Sequence, residues 1–293
     1  MKSALALLVT MRPHQWVKNL FVAAPLVFSR HLEDGALLWR TAAAIAVFCL
    51  LSGAVYAFND VRDVTADRAH PQKRNRPIAA GQLGERQALW AAGALAVVAL
   101  AGAAALSWQV AALALAYGVV NLGYSLGLKE IAFADVALIA GGFLLRVLTG
   151  AAAIAVPASK WLLLCTALLA AMLALGKRAH ELAWAQRAGT QAQTRAALAG
   201  YRLSHARWAV IALGVATAVA YALYCRSPHT IASFGTDRLI WSAPFPCLGI
   251  ARFMTLALFR PNPTSPTDAM LRDPLFLANL VAWTACIVWI LYG

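Results

Sequence analysis

Four residues that could hold a divalent cation follow the second long apolar run of the chain. They are Asn59, Asp60, Asp63 and Asp67, at the start of the stretch NDVRDVTADRAHPQKRNRPIAAG at 59–81. If the preceding helix continues past this run, all four fall within an arc of about 100° on one helix face. Carboxylates held that close repel one another unless a cation lies between them. Oxygen ligands of this kind suit Mg²⁺, which commonly shares carboxylates with substrate phosphates.

Basic residues come directly after the aspartates. Lys73, Arg74 and Arg76 lie in the segment HPQKRNRP and could bind phosphate oxygens directly. Carboxylates for a metal ion and cations for phosphates together indicate a diphosphate site. The alternative is a solvated loop at the membrane surface, which would explain the basic residues but not three aspartates on one face.

The composition predicts an integral membrane protein built from helices. The chain has 293 residues, of which 61% are hydrophobic and only 13% are charged, whereas soluble domains carry about 25% charged residues. Continuous apolar runs near the ~20 residues of a membrane-spanning helix exclude a β-barrel with its short alternating segments. We predict about nine helices around a central cavity open to the cytoplasmic side. The predicted spans are 16–29, 37–58, 88–106, 108–127, 131–155, 160–176, 208–225, 238–258 and 275–292.

The net charge of +13 is explained mainly by membrane topology. With the N-terminus inside, most of the 25 lysines and arginines fall on the inner side, as the positive-inside rule requires. Nucleic acid is therefore not an expected partner, and the remaining excess favours anionic lipid or anionic substrate. The N-terminal stretch MKSALALLVTMRPHQWVKN is predicted to form an interfacial helix on the inner face, with Trp16 near the headgroups.

The pattern Asn-Asp-x-x-Asp-x-x-x-Asp at the end of the second helix resembles the first Asp-rich motif of the UbiA-type intramembrane prenyltransferases. The resemblance extends over essentially the whole chain. It includes RPHQWVKN (12–19), KRNRPIAAG (73–81), YSLGLK (124–129), GGFLLR (141–146), GKRAHEL (176–182) and LRD (271–273). Within the superfamily, RPHQWVKN and GKRAHEL make the chain most similar to the decaprenyl-phosphate phosphoribosyltransferases. Those enzymes transfer 5-phosphoribose from phosphoribosyl diphosphate to a polyprenyl phosphate, on the way to lipid-linked arabinose.

The resemblance implies a site and a cellular location. Asp60, Asp63 and Asp67, assisted by Asn59, would hold Mg²⁺, and Lys18 would join the basic segment in binding substrate. Residues 1–293 would form a single transmembrane domain, with loops 60–86 and 177–207 forming the polar site on the cytoplasmic side of a bacterial plasma membrane. The partners would be phosphoribosyl diphosphate and a polyprenyl phosphate. The oligomeric state is left open, with a homo-oligomer as one alternative.

One departure from the general pattern bears on the substrate. Related enzymes usually carry a second Asp-x-x-x-Asp motif at the end of the sixth helix, where this chain has Gly-Lys-Arg-Ala-His-Glu at 176–181. Lys177 and Arg178 are therefore predicted to contact phosphate, with Glu181 as a further substrate-binding residue beside them. The reason is that a phosphoribosyl donor and a phosphate acceptor bring more negative charge than an aromatic acceptor would. The alternative is that Lys177 and Arg178 only reflect the positive-inside rule and do not bind substrate.

Three further residues are candidates for substrate contacts. Arg146 lies within a predicted span, where an unpaired charge costs at least about 2.5 kcal/mol. It either faces the central cavity and binds lipid phosphate or donor, or forms a structural pair with Asp135. Tyr124 and Lys129 lie at a cytoplasmic helix end, where the alternative is a snorkelling anchor.

Two rival functions remain open at this point. An aromatic prenyltransferase that uses a polyprenyl diphosphate would share the first Asp-rich motif, but the missing second motif argues against it. A lipid or ion transporter would distribute charges along a path through the membrane, whereas the ionisable residues here concentrate on one side.

We predict that residues 60–86 and 177–207 face the cytoplasm, because both segments are rich in lysine and arginine. Gln82→Cys and Gln186→Cys, each made on a cysteine-free background, should resist a membrane-impermeant maleimide in intact cells and react after permeabilisation. Glu33→Cys, in a predicted external loop, is the matched control and should react in intact cells. Efficient labelling of Gln82→Cys or Gln186→Cys from outside would overturn both the topology and the location of the site.

Overall fold

The computed structural model describes residues 2–70, 73–189, 196–259 and 264–292, and the regular elements in these ranges are helices without a strand. Eight helical segments in the described part are long and apolar enough to cross a membrane. They are α3 Gly35–Arg62, α5 Glu85–Leu106, α6 Trp108–Leu126, α7 Ala134–Ala153, α8 Lys160–Ala188, α9 Leu203–Arg226, the composite segment Arg238–Phe259 and α13 Pro274–Tyr292. The predicted all-α, multi-pass membrane fold is confirmed.

Shorter helices connect these segments. They are α1 Lys2–Thr10, a 3₁₀ helix Pro13–Ala23, α2 Ala24–Phe28, α4 Val64–Ala69, 3₁₀ helices Lys73–Asn75, Leu128–Glu130 and Ala196–Gly200, α10 Pro228–Phe234 and α12 Pro266–Met270. The composite segment consists of a 3₁₀ helix Arg238–Ser242, α11 Pro244–Met254 and a π-helix Thr255–Phe259. The predicted first span, 16–29, consists of the N-terminal 3₁₀ helix and α2, and neither is among the eight. The predicted count of nine spans is therefore not confirmed.

The described residues pack into two compact units, and the single domain 1–293 stays a prediction. The first unit comprises residues 1–126 and 142–158. Its core lies where α3 packs against α5 and α6, with Ala44, Ala99 and Ala114 almost fully buried. Within a bilayer the hydrophobic effect does not drive helices together, so close van der Waals packing, which small side chains allow, stabilises their association. Phe48 and Tyr117 fill the space beside them, with ring centroids 4.9 Å apart.

The N-terminal 3₁₀ helix belongs to the first unit and lies against α3. Its end also meets α7 very closely, because a Cβ atom added to Gly150 would collide with the backbone carbonyl of Val22. Only glycine fits at this position without a backbone shift. The close approach of these two elements therefore depends on the missing side chain of Gly150.

The second unit comprises residues 127–141 and 159–293. Its main contact is between α8 and α9, and its core includes Met172, Val210 and Phe253. Gly176 gives the Phe253 ring room, since a Cβ atom there would approach the ring to 2.6 Å. The apolar part of α8 is thus fixed against the composite segment before the polar residues Lys177 and Arg178 follow.

Gly150→Ala should destabilise the protein, because the added methyl group meets a backbone atom that cannot rotate away. Overpacking of this kind costs about 1–3 kcal/mol. Gly93→Ala is the matched control: Gly93 lies in α5 with nothing within 4 Å of an added Cβ, and alanine is favoured over glycine in a helix by about 1 kcal/mol. Melting temperatures in detergent should fall for Gly150→Ala and stay level or rise for Gly93→Ala. Equal melting temperatures would contradict the close approach.

Candidate functional site

The Asp-rich motif is placed by a helix that continues almost without a break. α3 ends at Arg62, Asp63 occupies the junction, and α4 begins at Val64. Backbone hydrogen bonds from Asp63 to Asn59 and from Asp67 to Asp63 carry the helical pattern across the junction. As a result, Asp60 and Asp67 lie on one side, each only 2% exposed. The predicted common face is observed for these two aspartates, and Asp63 is half-buried beside them.

Two arginines neutralise the buried aspartates. Arg76 Nη1 lies 3.1 Å from Asp60 Oδ1 and 2.6 Å from Asp67 Oδ2, so one nitrogen bridges both carboxylates. Arg12 Nη2 donates to the same Asp60 oxygen at 2.5 Å, and its guanidinium lies 4.7 Å from the centre of the Tyr56 ring. A cation between the carboxylates was expected, and the cation that the structure places there is an arginine.

Arg12 is not among the site residues that the sequence predicted. The signal was present in RPHQWVKN, where Arg12 directly precedes a proline and begins the N-terminal 3₁₀ helix. Arg12 also has a positive φ of 53°, a backbone conformation that costs free energy for a residue other than glycine. The ion pair with Asp60 is an evident compensation for that cost.

The oxygen atoms here fit a magnesium ion in type, although the present arrangement does not form a ready metal cage. In the described part of the chain, no group of three or more His, Cys, Asp or Glu side chains is arranged to hold a metal ion. However, the Asn59 Oδ1 atom is buried and has no hydrogen-bond partner. A buried acceptor without a partner is costly, and an oxygen ligand beside Asp60 is what Mg²⁺ prefers.

The basic segment predicted to bind phosphate is partly described. Lys73 and Arg74 begin a 3₁₀ helix that ends at Asn75, with Lys73 half-buried and Arg74 exposed. Burial lowers the pKa of His70, and the nearby charge of Lys73 lowers it further. A neutral His70 ring can accept the Lys73 backbone N–H at 3.4 Å. This hydrogen bond joins His70 and Lys73, the residues on either side of 71–72. Residues 71–72 themselves lie outside the described residues.

In the second unit, Arg178 is a structural residue rather than an exposed phosphate ligand. It is 1% exposed, with Nε 2.5 Å from Asp135 Oδ2 and Nη1 2.7 Å from Glu181 Oε2. The hydroxyl of Tyr201 donates to the other Asp135 oxygen at 2.7 Å. The predicted phosphate contact of Arg178 has no support in this geometry, and Glu181 serves as its counter-charge. Lys177 is half-buried on the same helix, and its phosphate contact stays a prediction.

Tyr201 connects this ion pair to the loop that carries Lys129. Its hydroxyl accepts the backbone N–H of Phe133 at 2.7 Å, and Phe133 has a positive φ of 65°. Burial, followed by the hydrogen bond to Asp135, raises the pKa of the Tyr201 hydroxyl to about 12. The hydroxyl thus stays protonated and keeps both hydrogen bonds at neutral pH. The half-buried Lys129 lies in the 3₁₀ helix Leu128–Glu130, a few residues before this anchor.

Arg146 is buried inside the first unit among neutral partners. Its Nε donates to Asn19 Oδ1, its Nη1 to the Gly142 carbonyl and its Nη2 to the Tyr117 hydroxyl, each at 2.9 Å. The alternative that Arg146 pairs with Asp135 is wrong, because Asp135 is bound by Arg178.

The depth of Arg146 separates it from the aspartates. Asn19, which accepts from Arg146, also donates to Ser52 on α3 at 3.5 Å. Ser52 precedes Asp60 by eight residues, which is about 12 Å along an α-helix. Arg146 therefore lies well below the level of Asp60, and the structure does not bring the two together. Its predicted contact with lipid phosphate stays a prediction.

Two other predicted residues are half-buried in the first unit. Lys18 lies on the N-terminal 3₁₀ helix, one residue before Asn19, and Tyr124 lies in the last turn of α6. The second unit also contains an open cavity of about 280 Å³, lined by Ser204, Arg207, Trp208, Ile211, Leu258 and Phe259. None of the predicted site residues lines it.

Comparison with known proteins identifies the family. The model of the UbiA prenyltransferase family matches residues 18–280. The chain belongs to this family. A relative from Mycolicibacterium smegmatis, named decaprenyl-phosphate phosphoribosyltransferase, is 41% identical over 225 residues, which are 75% of this chain and 70% of that protein. A Mycobacterium tuberculosis protein of the same name is 35% identical over 282 residues, 94% of this chain and 91% of that protein.

Solved structures of UbiA proteins share the fold. A UbiA homolog from Archaeoglobus fulgidus, bound to GPP and Mg²⁺, superposes with a TM-score of 0.73 at 17% identity and covers 98% of this chain and all of that one. A homolog from Aeropyrum pernix K1 gives a TM-score of 0.69 at 17% identity, with coverage of 94% of this chain and 97% of that one. At this identity the likeness supports the family fold, and the ligands named belong to those proteins.

Arg178→Gln should lower the free energy of unfolding of this UbiA protein by about 3–5 kcal/mol, because it leaves the buried Asp135 charge without its partner. Arg187→Gln, an exposed change near the end of the same helix, is the control and should change stability by less than about 0.5 kcal/mol. Both variants can be compared by thermal melting in detergent. If Arg178→Gln melted like the wild type and lost only phosphate affinity, the structural role would be wrong and the phosphate contact would return.

Proposed function

We propose that this chain transfers the 5-phosphoribosyl group from phosphoribosyl diphosphate to a polyprenyl phosphate and releases diphosphate. The observation that carries the proposal is its alignment, over as much as 96% of the chain, with proteins named decaprenyl-phosphate phosphoribosyltransferase. The predicted enzyme class, a transferase, is also that of the family. The cationic and acidic residues at the end of α3 supply the charges that a diphosphate-releasing reaction needs.

The aspartate site is proposed to hold Mg²⁺ through Asp60, Asp63 and Asp67, with Asn59 as a neutral oxygen ligand. When bound, the ion would neutralise charge that develops on the departing diphosphate. Support comes from the near-complete burial of Asp60 and Asp67 and from the unpartnered Asn59 oxygen. In the absence of compensation, two carboxylates in such a place would not both be stably ionised.

The basic residues near the aspartates bind and orient the donor. Lys73, Arg74 and Arg76 would donate charge-assisted hydrogen bonds to the phosphate oxygens, which are stronger than neutral ones. Arg74 is exposed and Arg76 is partly exposed, so both can reach a ligand that enters from the polar side. Lys18, Tyr124, Lys129, Lys177 and Arg146 remain proposed contacts for the donor phosphate or the lipid.

The chemistry needs no dedicated base. The bond between the anomeric carbon and the diphosphate oxygen breaks with its electron pair leaving on diphosphate, and the carbon gains oxocarbenium character. An oxygen of the polyprenyl phosphate forms the new bond from the opposite face and inverts the carbon. Because that oxygen is already anionic, no proton has to be removed. Preorganised cations at the leaving group are then the main contribution of the protein.

The location of the reaction is part of the proposal. The eight membrane-spanning segments show a multi-pass membrane protein, and the charge distribution supports the cytoplasmic side of a bacterial plasma membrane for Asp60 and its neighbours. A water-soluble donor of high negative charge would reach the site from that side, while the polyprenyl chain stays in the lipid.

Purified protein with Mg²⁺ should form labelled lipid from radiolabelled phosphoribosyl diphosphate and polyprenyl phosphate. It should form no product from a polyprenyl diphosphate and a hydroxybenzoate. Asp60→Asn should lower kcat about a hundredfold or more, because it removes electrostatic support of the leaving group. Glu85→Gln, at an exposed carboxylate paired with Arg68, is the control with near-normal rates. Product only from the second pair of substrates would replace this proposal with aromatic prenyl transfer.

A further inference from the structure

Arg76 contacts both of the buried carboxylates that would hold a metal ion. A single nitrogen, Nη1, is within hydrogen-bond distance of one oxygen from Asp60 and one from Asp67. Magnesium binds carboxylate oxygens at about 2.0–2.1 Å, which is shorter than either of these nitrogen–oxygen distances. An ion that bound these same two oxygens would therefore have to replace the guanidinium.

We propose that Arg76 is an internal counter-cation of Asp60 and Asp67 that is displaced when Mg²⁺ binds. Arginine and metal would compete for the same two carboxylates. Arg76 thus weakens metal binding while it compensates the two buried charges. The released side chain then turns to the donor diphosphate, and this second step rests on the proposed function.

Arg76, unlike the two aspartates, is exposed enough for its side chain to move. The side chains of Asp60 and Asp67 are 3% exposed, whereas that of Arg76 is 28% exposed and has a path to solvent. Arg12 is similarly exposed, at 24%, but its guanidinium is also stacked over the Tyr56 ring, so it is less suited to leave. After Arg76 leaves, Arg12 still compensates Asp60.

The backbone of Arg76 is fixed, so only the side chain has to move. Its carbonyl accepts the N–H of Ala80 at 2.8 Å, and its N–H donates to the Lys73 carbonyl at 2.9 Å. Two residues further on, Ile78 is 1% exposed in a cluster with Ala6, Val64 and Leu83. The apolar anchor holds the start of the side chain near the carboxylates while the guanidinium exchanges partners.

The buried charges of Asp60 and Asp67 explain why a counter-cation is needed before a metal ion binds. Two buried carboxylates without a cation would carry an uncompensated charge, which is strongly destabilising. Arg12 and Arg76 bring two positive charges to these two negative ones, so the set is neutral before the metal arrives. The same neutrality means that a divalent ion is attracted less strongly than it would be by the bare aspartates.

The decisive test measures metal binding with no donor and no lipid phosphate present. Mn²⁺ is titrated into purified protein and free Mn²⁺ is followed by electron paramagnetic resonance. Arg76→Gln should bind Mn²⁺ about tenfold more tightly than the wild type, the change expected when one charge-assisted hydrogen bond no longer has to break. Arg68→Gln removes the same charge from an exposed pair in the same segment and should change the Kd less than about twofold.

Wild-type protein supplies an independent measurement should Arg76→Gln fail to fold. Phenylglyoxal modifies accessible guanidinium groups, and the extent at each arginine can be read by peptide mass spectrometry. Adding Mg²⁺ alone should increase modification of Arg76 and leave that of Arg68 unchanged. Unchanged or weaker Mn²⁺ binding by folded Arg76→Gln, or modification of Arg76 that does not rise with Mg²⁺, would overturn the proposal.

The same reagents separate this inference from the proposed function. Tighter Mn²⁺ binding by Arg76→Gln would support competition whichever group the enzyme transfers. Inorganic diphosphate added with Mg²⁺ tests the second step, since Arg76→Gln should bind it about tenfold more weakly after losing one charged donor. If metal affinity rose while diphosphate affinity stayed the same, displacement would stand and the transfer of Arg76 to diphosphate would be wrong.

Discussion

Two carboxylates are buried where α3 reaches the end of its span, and a buried carboxylate is stable only when a cation or several hydrogen-bond donors compensate it. Much of the first unit follows from this constraint. The N-terminal segment must bring Arg12 to Asp60, and the turn after α4 must bring Arg76 to Asp60 and Asp67. The apolar cluster around Ile78 then fixes that turn. Site and fold are thus stabilised by the same contacts.

The second unit meets a similar constraint in a different way. Arg178 is buried with Asp135 and receives further support from Glu181 and Tyr201. Here the cation is 1% exposed, so it has no path to solvent and cannot exchange its partner for a ligand. Arg76 is more than a quarter exposed, which is why the proposed exchange of partners is assigned to Arg76 and not to Arg178.

Sequence patterns predicted the membrane helices well because hydropathy is a local property. The predicted spans 88–106 and 108–127 lie close to the observed α5 and α6. The prediction that ended a span at 176 was short, since α8 continues to Ala188. Its extension carries Arg178, whose charge is matched by Asp135 from a distant part of the chain. Local hydropathy cannot predict an ion pair with a residue that is distant in sequence.

The site was predicted in part for the same reason. Helical periodicity placed Asp60 and Asp67 on one face correctly, because the relevant residues are close in sequence. The partners of Arg146 and Arg178 depend on contacts across many residues, and the sequence suggested Asp135 as a partner for Arg146 only. Only the folded chain shows that Asp135 is taken by Arg178, and that Asn19 and Tyr117 hold Arg146 instead.

The antiparallel contact between the N-terminal 3₁₀ helix and α3 has a consequence for the length of the segment RPHQWVKN. Arg12 contacts Asp60 at one end, and Asn19 contacts Ser52 at the other. A 3₁₀ helix rises about 2.0 Å per residue and an α-helix about 1.5 Å, so seven residues of the first nearly match eight of the second. The spacing of Arg12 and Asn19 in RPHQWVKN therefore matches the spacing of Asp60 and Ser52 on α3. A one-residue insertion between Arg12 and Asn19 would break one of these two contacts. The residues between Arg12 and Asn19 should therefore vary in side chain far more freely than in number.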